Sequence, residues 1–176
     1  MTTQQLVGDQ HEIEEEHLSA RNSFWVPDPA PAELLTFRPS KTTWRMGRIF
    51  AERQFHRYDE PQEAYISEVG ATCVATQVKG PNIGMLAILK IRKQIPTGGE
   101  SPRDVEPEDL QRTKPCRLGI WASYEFCNLD TLTESGCSCR PRLLGRKLVS
   151  QGLDDLVPGG FILLSFDRKI TRAKLS

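Results

Sequence analysis

The sequence has 176 residues, with 23 basic and 23 acidic residues and a formal net charge of zero at pH 7. Its hydrophobic content of 38% and charged content of 26% are typical of a single folded domain rather than a disordered chain. Because there is no overall positive field, nucleic acid and anionic membrane surfaces are not expected as partners. No apolar run approaches the roughly 20 residues needed to span a bilayer, so no membrane segment is expected.

The N-terminus, MTTQQLVGDQHEIEEEHL, is acidic and lacks the apolar core of a signal peptide. The five cysteines are an odd number without a regular framework, which favours a reducing compartment, cytoplasmic or nuclear. Cys137 and Cys139 form one close pair, whereas a structural zinc site usually needs two such pairs. We therefore predict no metal site.

Residues 1–43 are expected to be an acidic N-terminal segment followed by a proline-rich arm, partly disordered. Pro27, Pro29, Pro31 and Pro39 each fix φ and remove an amide donor, so the arm should run extended. Its apolar side chains either dock on the folded part of the same chain or contact a partner. Docking within the chain is the favoured alternative.

Residues 44–170 carry the predicted domain, and residues 171–176 a short tail. WRMGRIF, AYISEV and ATCVATQV are rich in β-branched and apolar residues and predict strands. The turn sequence KGPN then leads into GMLAILKIRKQI, and these last two runs predict an antiparallel hairpin. Residues 97–115 are polar, with several glycines and prolines, and predict a flexible exposed insertion.

The segment from Leu118 to Gly136 predicts a helix. Trp121, Tyr124, Leu129 and Leu132 recur at helical spacing, and Gly136 suits the position just past a helix end. Two further strand candidates, PRLLGRKLVS and GGFILLSFD, follow. This order predicts an α+β fold with an antiparallel sheet of about five strands and one packed helix.

Lys90 lies in the middle of the apolar run MLAILKI, where an ammonium group is costly unless an anion meets it. Glu125 lies on the one well-predicted helix and is the candidate partner. The alternative is that Lys90 lies near a sheet edge and extends its stem to water. Arg92 and Lys93 follow at once, which keeps this second interpretation open.

The order of elements and several short motifs together resemble the small N-terminal lobe of the protein kinases. ATCVATQ is similar to the second strand of that lobe, in which an alanine, here Ala75, lies over the nucleotide base. AILK, which ends at Lys90, is similar to the third-strand V-A-I-K motif, and Glu125 opens E-x-x-x-L as the αC glutamate does. The set most resembles the kinase-like and phosphotransferase-like proteins of fungi, over about residues 44–170.

The resemblance implies that Lys90 contacts the α- and β-phosphates of ATP and pairs with Glu125. It aligns SEVGAT, with Gly70, to the loop that covers the phosphates, and places the hinge backbone near Arg168 and Ile170. The nucleotide-binding residues that it implies are Lys90, Glu125, Ala75, Gly70, Arg168 and Ile170.

The sequence also departs from the kinase pattern. SEVGAT holds one glycine where the family has G-x-G-x-x-G, and Ile88 replaces the alanine that lies beneath adenine. Asp167 stands where a large apolar residue is expected, and if buried it would need a partner such as Arg168 or Lys169. The H-R-D and D-F-G motifs do not occur before the last residue, so we expect a lobe truncated before its catalytic half, with no catalytic residues and no bound Mg²⁺.

Three functional hypotheses remain open. The first is a kinase-like small lobe that binds ATP weakly at most and is not an autonomous phosphotransferase. The second is a non-enzymatic protein-interaction module on the same scaffold, using the face that a large lobe would cover or the proline-rich arm. The third is a fragment of an active kinase-like enzyme. Ile88 and the glycine-poor loop favour the second hypothesis, whereas Lys90 with Glu125 favours the first.

Overall fold

The computed structural model describes residues 25–27, 29, 33–38, 40–56, 66–98, 100–136 and 143–168. In chain order the elements are β1 Leu34–Phe37, β2 Thr42–His56, β3 Ser67–Lys79, β4 Leu86–Ile95, α1 Pro107–Arg112, α2 Ile120–Glu134, β5 Leu143–Ser150 and β6 Phe161–Arg168. The strands form one antiparallel sheet in the order β1-β2-β3-β4-β6-β5. The predicted α+β class is confirmed, and the sheet has six strands where about five were expected.

The hairpin of β3 and β4 matches its prediction. Its register runs from Ser67 opposite Ile95 to Thr76 opposite Leu86 without a shift. Gly80 and Gly84 in the connection have φ values of +127° and +86°, a region that side-chain-bearing residues rarely adopt. AYISEV and ATCVATQV were predicted as separate strands, but β3 runs without interruption through their junction. The two sequences therefore contribute to one long strand.

The sheet curls around an apolar interior. Side chains alternate between the two faces of a strand, and one set from β3, β4 and β6 points inward. Leu89 lies opposite Cys73 on one side and Phe166 on the other, and all three are buried. The ring centre of Phe37 on β1 lies 4.8 Å from that of Phe166 on β6, edge to face, although three strands lie between β1 and β6 in the sheet order. The two ends of the sheet thus approach each other in a nearly barrel-like arrangement.

The described part of the proline-rich arm docks on the domain. The backbone N–H groups of Trp25 and Val26 each donate to the Glu52 carboxylate at 3.0 Å, and both side chains are buried. Further along, Leu34–Phe37 forms β1 and pairs with β2. Docking within the chain is therefore confirmed for these residues, and the arm supplies the additional strand. Residues 1–24 and the tail at 171–176 lie outside the described residues.

The polar segment 97–115 contains a short helix, α1, that the sequence analysis did not predict. After α1, Thr113 is nearly buried and its hydroxyl accepts a hydrogen bond from the Thr97 backbone N–H at 2.8 Å. The Gln94 side-chain amide donates to the Lys114 carbonyl at 2.8 Å. These bonds fasten the end of the segment to β4 and so fix the approach to α2.

The predicted helix is confirmed as α2, and Gly136, with φ of +66°, lies just past its end. The helix packs on the outer face of the sheet through Ala122, which joins Phe161 and Leu163 in a small second core. Trp121 and Tyr124 lie on its other side and remain about half exposed. The helix is therefore held by a narrow apolar contact, to which Phe126 also contributes.

Candidate functional site

Lys90 occupies the centre of the sheet. It lies opposite Thr72 of β3 and Ser165 of β6, so its strand is paired on both sides. The interpretation that placed Lys90 near a sheet edge is therefore wrong. Its neighbours Leu89 and Ile91 point into the core, and Lys90 itself points to the outer face, where 35% of its side chain is exposed.

Two carboxylates meet the Lys90 ammonium. Its Nζ lies 3.1 Å from Glu125 Oε1 and 3.0 Å from Asp167 Oδ2, so the predicted Lys90–Glu125 ion pair is confirmed. Burial disfavours the charged form of Lys90, but the two carboxylates outweigh burial and raise its pKa. The ammonium is therefore firmly charged and is held between α2 and β6.

Asp167 is almost fully buried, and Lys90 is its cation. The predicted partners, Arg168 and Lys169, have side chains that lie outside the described residues. Burial raises the pKa of Asp167 in spite of the attraction of Lys90. The ionised form of Asp167 is thus stabilised by the Lys90 ammonium.

Arg92 is the second cation of the site. Two positions along β4, it shares the outer face with Lys90, and its Nε donates to Glu125 Oε2 at 2.7 Å. Its guanidinium lies 4.3 Å from the centre of the Phe55 ring, a cation–π contact. Burial opposes the charge of Glu125, but Arg92 and Lys90 outweigh it and lower the pKa of this carboxyl.

Gly70 has a structural role that differs from the predicted one. It lies inside β3, opposite Arg53 and Arg92, and the sequence SEVGAT is strand rather than a phosphate-covering loop. A Cβ at Gly70 would fall 2.7 Å from Arg92 Nη1 and 3.2 Å from the Phe55 ring. The missing side chain makes room for the Arg92 guanidinium.

Ala75 does not join the site. It lies opposite Ala87 on the inner face and is fully buried, whereas Lys90 points outward. Side chains alternate along a strand, so Val74 rather than Ala75 shares the face of Lys90, opposite Ile88. The assignment of Ala75 to a nucleotide base is therefore corrected.

The two residues that the kinase resemblance predicts to form a hinge, Arg168 and Ile170, are only partly described. The backbone of Arg168 pairs with Ala87 at the end of β6. Its side chain and the whole of Ile170 lie outside the described residues. The structure thus brings Lys90, Glu125 and Gly70 together and separates Ala75 from them.

An open cleft of about 710 Å³ lies between α2 and the outer face of β2, β3 and β4. Lys90, Arg92 and Glu125 line its floor, and Trp121 and Tyr124 of α2 border it. Its full lining is Ala51, Glu52, Arg53, Phe55, Gly70, Ala71, Thr72, Lys90, Ile91, Arg92, Trp121, Tyr124, Glu125, Asn128, Leu129 and Leu132. The cleft therefore combines a floor of paired charges, two cations with carboxylates beside them, and aromatic groups at its border.

Two residues of the site were missed from sequence. In the sequence, Arg92 served only to keep open the alternative that Lys90 is solvated near a strand end, yet its spacing of two from Lys90 is a signal for the same face. Glu68 precedes Gly70 by two positions, and its carboxylate is fully buried beside α2. No sequence signal marks that burial, because it arises only when the helix covers the strand.

In the described part of the chain, no cluster of three or more His, Cys, Asp or Glu side chains is arranged to hold a metal ion. No helix among these residues is long and apolar enough to cross a lipid bilayer. No known protein family, curated protein or solved structure matches this chain. The class of protein is therefore defined by the α+β architecture and by the charged cleft.

Proposed function

We propose that this chain is a kinase-like small lobe whose cleft binds a nucleotide such as ATP weakly, without transferring a phosphoryl group by itself. The observation that carries the proposal is the Lys90–Glu125 ion pair at the floor of the open cleft. A strand lysine held by a helix glutamate is the arrangement that orients the α- and β-phosphates in protein kinases.

The charges of the site explain why a phosphate group would bind there and why its affinity would be low. Lys90 is partly exposed to the cleft and Arg92 lies beside it, so a phosphate can approach two cations at once. Glu125 and Asp167 already balance those two charges. A phosphate therefore gains attraction only in competition with two carboxylates, and we expect an affinity in the millimolar range.

The purine base of the nucleotide would contact a surface that differs from the kinase one. Val74 and Ile88 lie side by side on the face of Lys90 and are only partly buried. Two branched side chains there hold a flat ring further from the backbone than alanine would. This geometry favours weak and poorly selective contact with a purine. The motifs H-R-D and D-F-G do not occur in the sequence, so the proposal is limited to binding, without a catalytic role for Mg²⁺.

A thermal-shift titration tests the proposal. Ligand that binds only the folded protein must raise the melting temperature, and ten times the dissociation constant corresponds to about 3–6 °C for a chain of this size. We expect that rise with ATP for the native protein and for Lys147→Ala, an exposed lysine on β5. We expect no rise for Lys90→Ala, measured against its own ligand-free melting temperature.

Two results would contradict the proposal. If millimolar ATP leaves the native melting temperature unchanged, the cleft is not a nucleotide site. If the rise persists in Lys90→Ala, ATP binds elsewhere. Adding Mg²⁺ in a parallel series separates binding of free ATP from binding of the metal complex.

A protein-interaction module is the second candidate, because large aromatic side chains are exposed beside the charged site. Trp121 and Tyr124 on α2 border the cleft and are 43% and 56% exposed. Exposed aromatic residues in one region mark contact surfaces more often than isolated apolar ones do. Affinity capture compares the native protein, Trp121→Ala/Tyr124→Ala and Lys90→Ala. A partner lost only with the aromatic double variant would support this candidate, and equal recovery with all three would contradict it.

A further inference from the structure

The carboxyl group of Glu68 is isolated beneath α2. Glu68 lies on β3 between Phe55 of β2 and Gln94 of β4, and its side chain has no exposed surface. Among the described residues, neither of its oxygens has a hydrogen-bond partner. Buried carboxylates are normally paired or hydrogen-bonded, because an unpaired one is costly. The free-energy cost of burying this carboxyl group must therefore be lowered without a hydrogen bond, or the group must have a function that requires its burial.

The position of Glu68 connects it with the start of α2. Gly119 is the N-cap of that helix and leaves the cap without a side-chain hydrogen bond, and the first turn carries no acidic residue. Glu68 Oε2 fills the space that a Cβ of Gly119 would need. A helix N-terminus attracts negative charge, and the Ala122 amide lies near enough to favour the ionised carboxylate without making a hydrogen bond of normal geometry, but burial outweighs this attraction. Glu68 thus lies where a change in its charge acts directly on the helix.

Three titratable or charged groups face Glu68 from the surrounding elements. They are Arg92 on β4, Glu125 on α2 and Cys116 in the segment that leads into α2. Burial raises the pKa of Glu68 to about 7; Arg92 and the Ala122 amide oppose this effect, and Glu125 adds to it. Burial and the nearby Glu68 together raise the pKa of the Cys116 thiol.

Arg92 is shared between the two glutamates. Its Nε is bonded to Glu125, while its Nη1 is buried without a partner in the described structure. The unpartnered Nη1 and the unpartnered Glu68 oxygens lie on the same outer face of neighbouring strands. An ionised Glu68 would therefore attract Arg92 Nη1, while Nε can stay bonded to Glu125, so that one guanidinium would serve two carboxylates.

We propose that Glu68 is a proton-controlled latch under α2. When its carboxyl group is protonated, the N-terminal turn of the helix lies firmly on β3 and Arg92 serves Glu125. When it is ionised, burial of the charge costs more than Arg92 and the helix N-terminus give back, so hydration is favoured and the N-terminal turn lifts from the sheet. The proposal goes beyond nucleotide binding, because it concerns the helix whether or not a ligand occupies the cleft.

The direction of the pH effect follows from linkage. The folded pKa of about 7 exceeds the ordinary value of 4.5, so the seated helix binds a proton that a hydrated Glu68 would release. The contribution of Glu68 to helix seating is fully present below pH 4.5 and is lost as the pH rises through 7. We expect the first turn of α2 to be most protected near pH 5 and least protected near pH 8.

The test follows the backbone amides of residues 120–123 by ¹H–¹⁵N NMR between about pH 5 and pH 8.5. We expect a chemical-shift transition with a midpoint near 7 in the native protein and none in Glu68→Gln, which keeps the size of the side chain. Hydrogen-exchange protection of the Ser123 amide, which donates to the Gly119 carbonyl and closes the first turn, should fall at high pH only in the native protein after correction for the intrinsic rate. Glu125→Gln should move the midpoint to lower pH, because a neighbouring negative charge is removed.

His56→Gln is the control that excludes titration of this histidine as the source of the transition. It pairs with Ser67, next to Glu68, and an ordinary histidine titrates near pH 6.5. The transition should survive in His56→Gln. A transition that disappears in His56→Gln, persists in Glu68→Gln or is absent from the native protein would overturn the proposal. If Glu68→Gln does not fold, ¹³C detection of the Glu68 carboxyl group in the native protein decides, since a midpoint below 5.5 would also overturn it.

Discussion

The two faces of β4 differ in the way that they are stabilised. On the inner face, Leu89 is buried between Cys73 and Phe166 and needs only neighbours of suitable volume. On the outer face, Lys90 and Arg92 need charged partners, which come from α2 and β6. Packing tolerates many apolar residues, whereas pairing requires specific groups at specific positions. Two adjacent residues of one strand are therefore stabilised in different ways, Leu89 by packing and Lys90 by ion pairs.

The outer face is also the place where the protein can respond to its surroundings. An apolar contact is the same at every pH, but the outer face holds carboxyl groups whose pKa values move in opposite directions. Burial raises that of Glu68, and the cations lower that of Glu125. The contrast between the faces can be tested by changing one residue on each.

The largest effect is expected on the inner face. Leu89→Ala removes a fully buried side chain and leaves a cavity, and should lower the free energy of unfolding by about 2–5 kcal/mol. Ile88→Ala, the adjacent residue on the outer face, is the matched control and should lose less than half as much. Urea unfolding at pH 7 measures both. Equal losses would show that the two faces are packed alike.

The next largest effect is expected from Glu68 and depends on pH. A pKa moved from 4.5 to about 7 corresponds to a cost of up to about 3 kcal/mol when the group is ionised, at about 1.4 kcal/mol per unit. Glu68→Gln should therefore be more stable than the native protein at pH 8 and equal to it near pH 4.5. Glu125→Gln should behave in the opposite way, losing about 1–3 kcal/mol at pH 8, because its lowered pKa stabilises the fold above pH 4.5.

Urea unfolding of the three proteins at several pH values measures this difference. The comparison between variant and native protein cancels the contributions of the other carboxyl groups. If Glu68→Gln and the native protein keep a constant difference from pH 4.5 to 8, the isolated carboxyl group does not titrate in that range.

A smaller effect is expected from the pairing around Lys90. Lys90→Met leaves Glu125 and Asp167 without their shared cation and should cost about 1–3 kcal/mol, less than a fully buried pair because solvent reaches the ammonium. Adding Asp167→Asn removes the stranded charge and should recover at least half of that loss. A double-mutant cycle by urea unfolding measures the coupling. Strictly additive effects would mean that Lys90 and Asp167 do not interact.

The smallest effect is expected at the border of the cleft. Trp121 is 43% exposed and lies 6.0 Å from Phe55, between ring centres, so Trp121→Ala should change the stability by no more than about 1 kcal/mol. Thermal unfolding checks this value. A loss above 2 kcal/mol would show that Trp121 belongs to the structural core and would remove it from the candidate contact surface.

Much of the fold could be predicted from local patterns. The helix followed from the spacing of residues such as Trp121 and Leu129, and its end from Gly136. The hairpin followed from the turn sequence between two apolar runs. β1 is the strand that was not predicted. It lies in a proline-containing arm, where local preferences disfavour a strand, and pairing with β2 overrides those preferences. Long-range pairing of this kind leaves no mark in a short window of sequence.

The site was predicted less completely. The pair of Lys90 with Glu125 followed from the cost of an unpaired charge, and the structure contains it. Ala75 was assigned to the site although it lies on the inner face, because ATCVATQ mixes small and polar residues and shows no clear apolar alternation. Asp167 was recognised as out of place, but its partner Lys90 lies 77 positions earlier and comes near only through the pairing of β4 with β6. Whether the site binds nucleotide stays a prediction.

The sequence by itself determined that an antiparallel α+β domain forms and that Lys90 requires an anion, because element types and the cost of burying charge are properties of local composition. Only the tertiary structure decided that Asp167 is the second carboxylate at Lys90 and which face each strand residue takes. It also decided that Glu68 is sealed beneath α2. Burial and pairing of this kind depend on surfaces brought together from distant parts of the chain, and their free energies arise only when those surfaces meet.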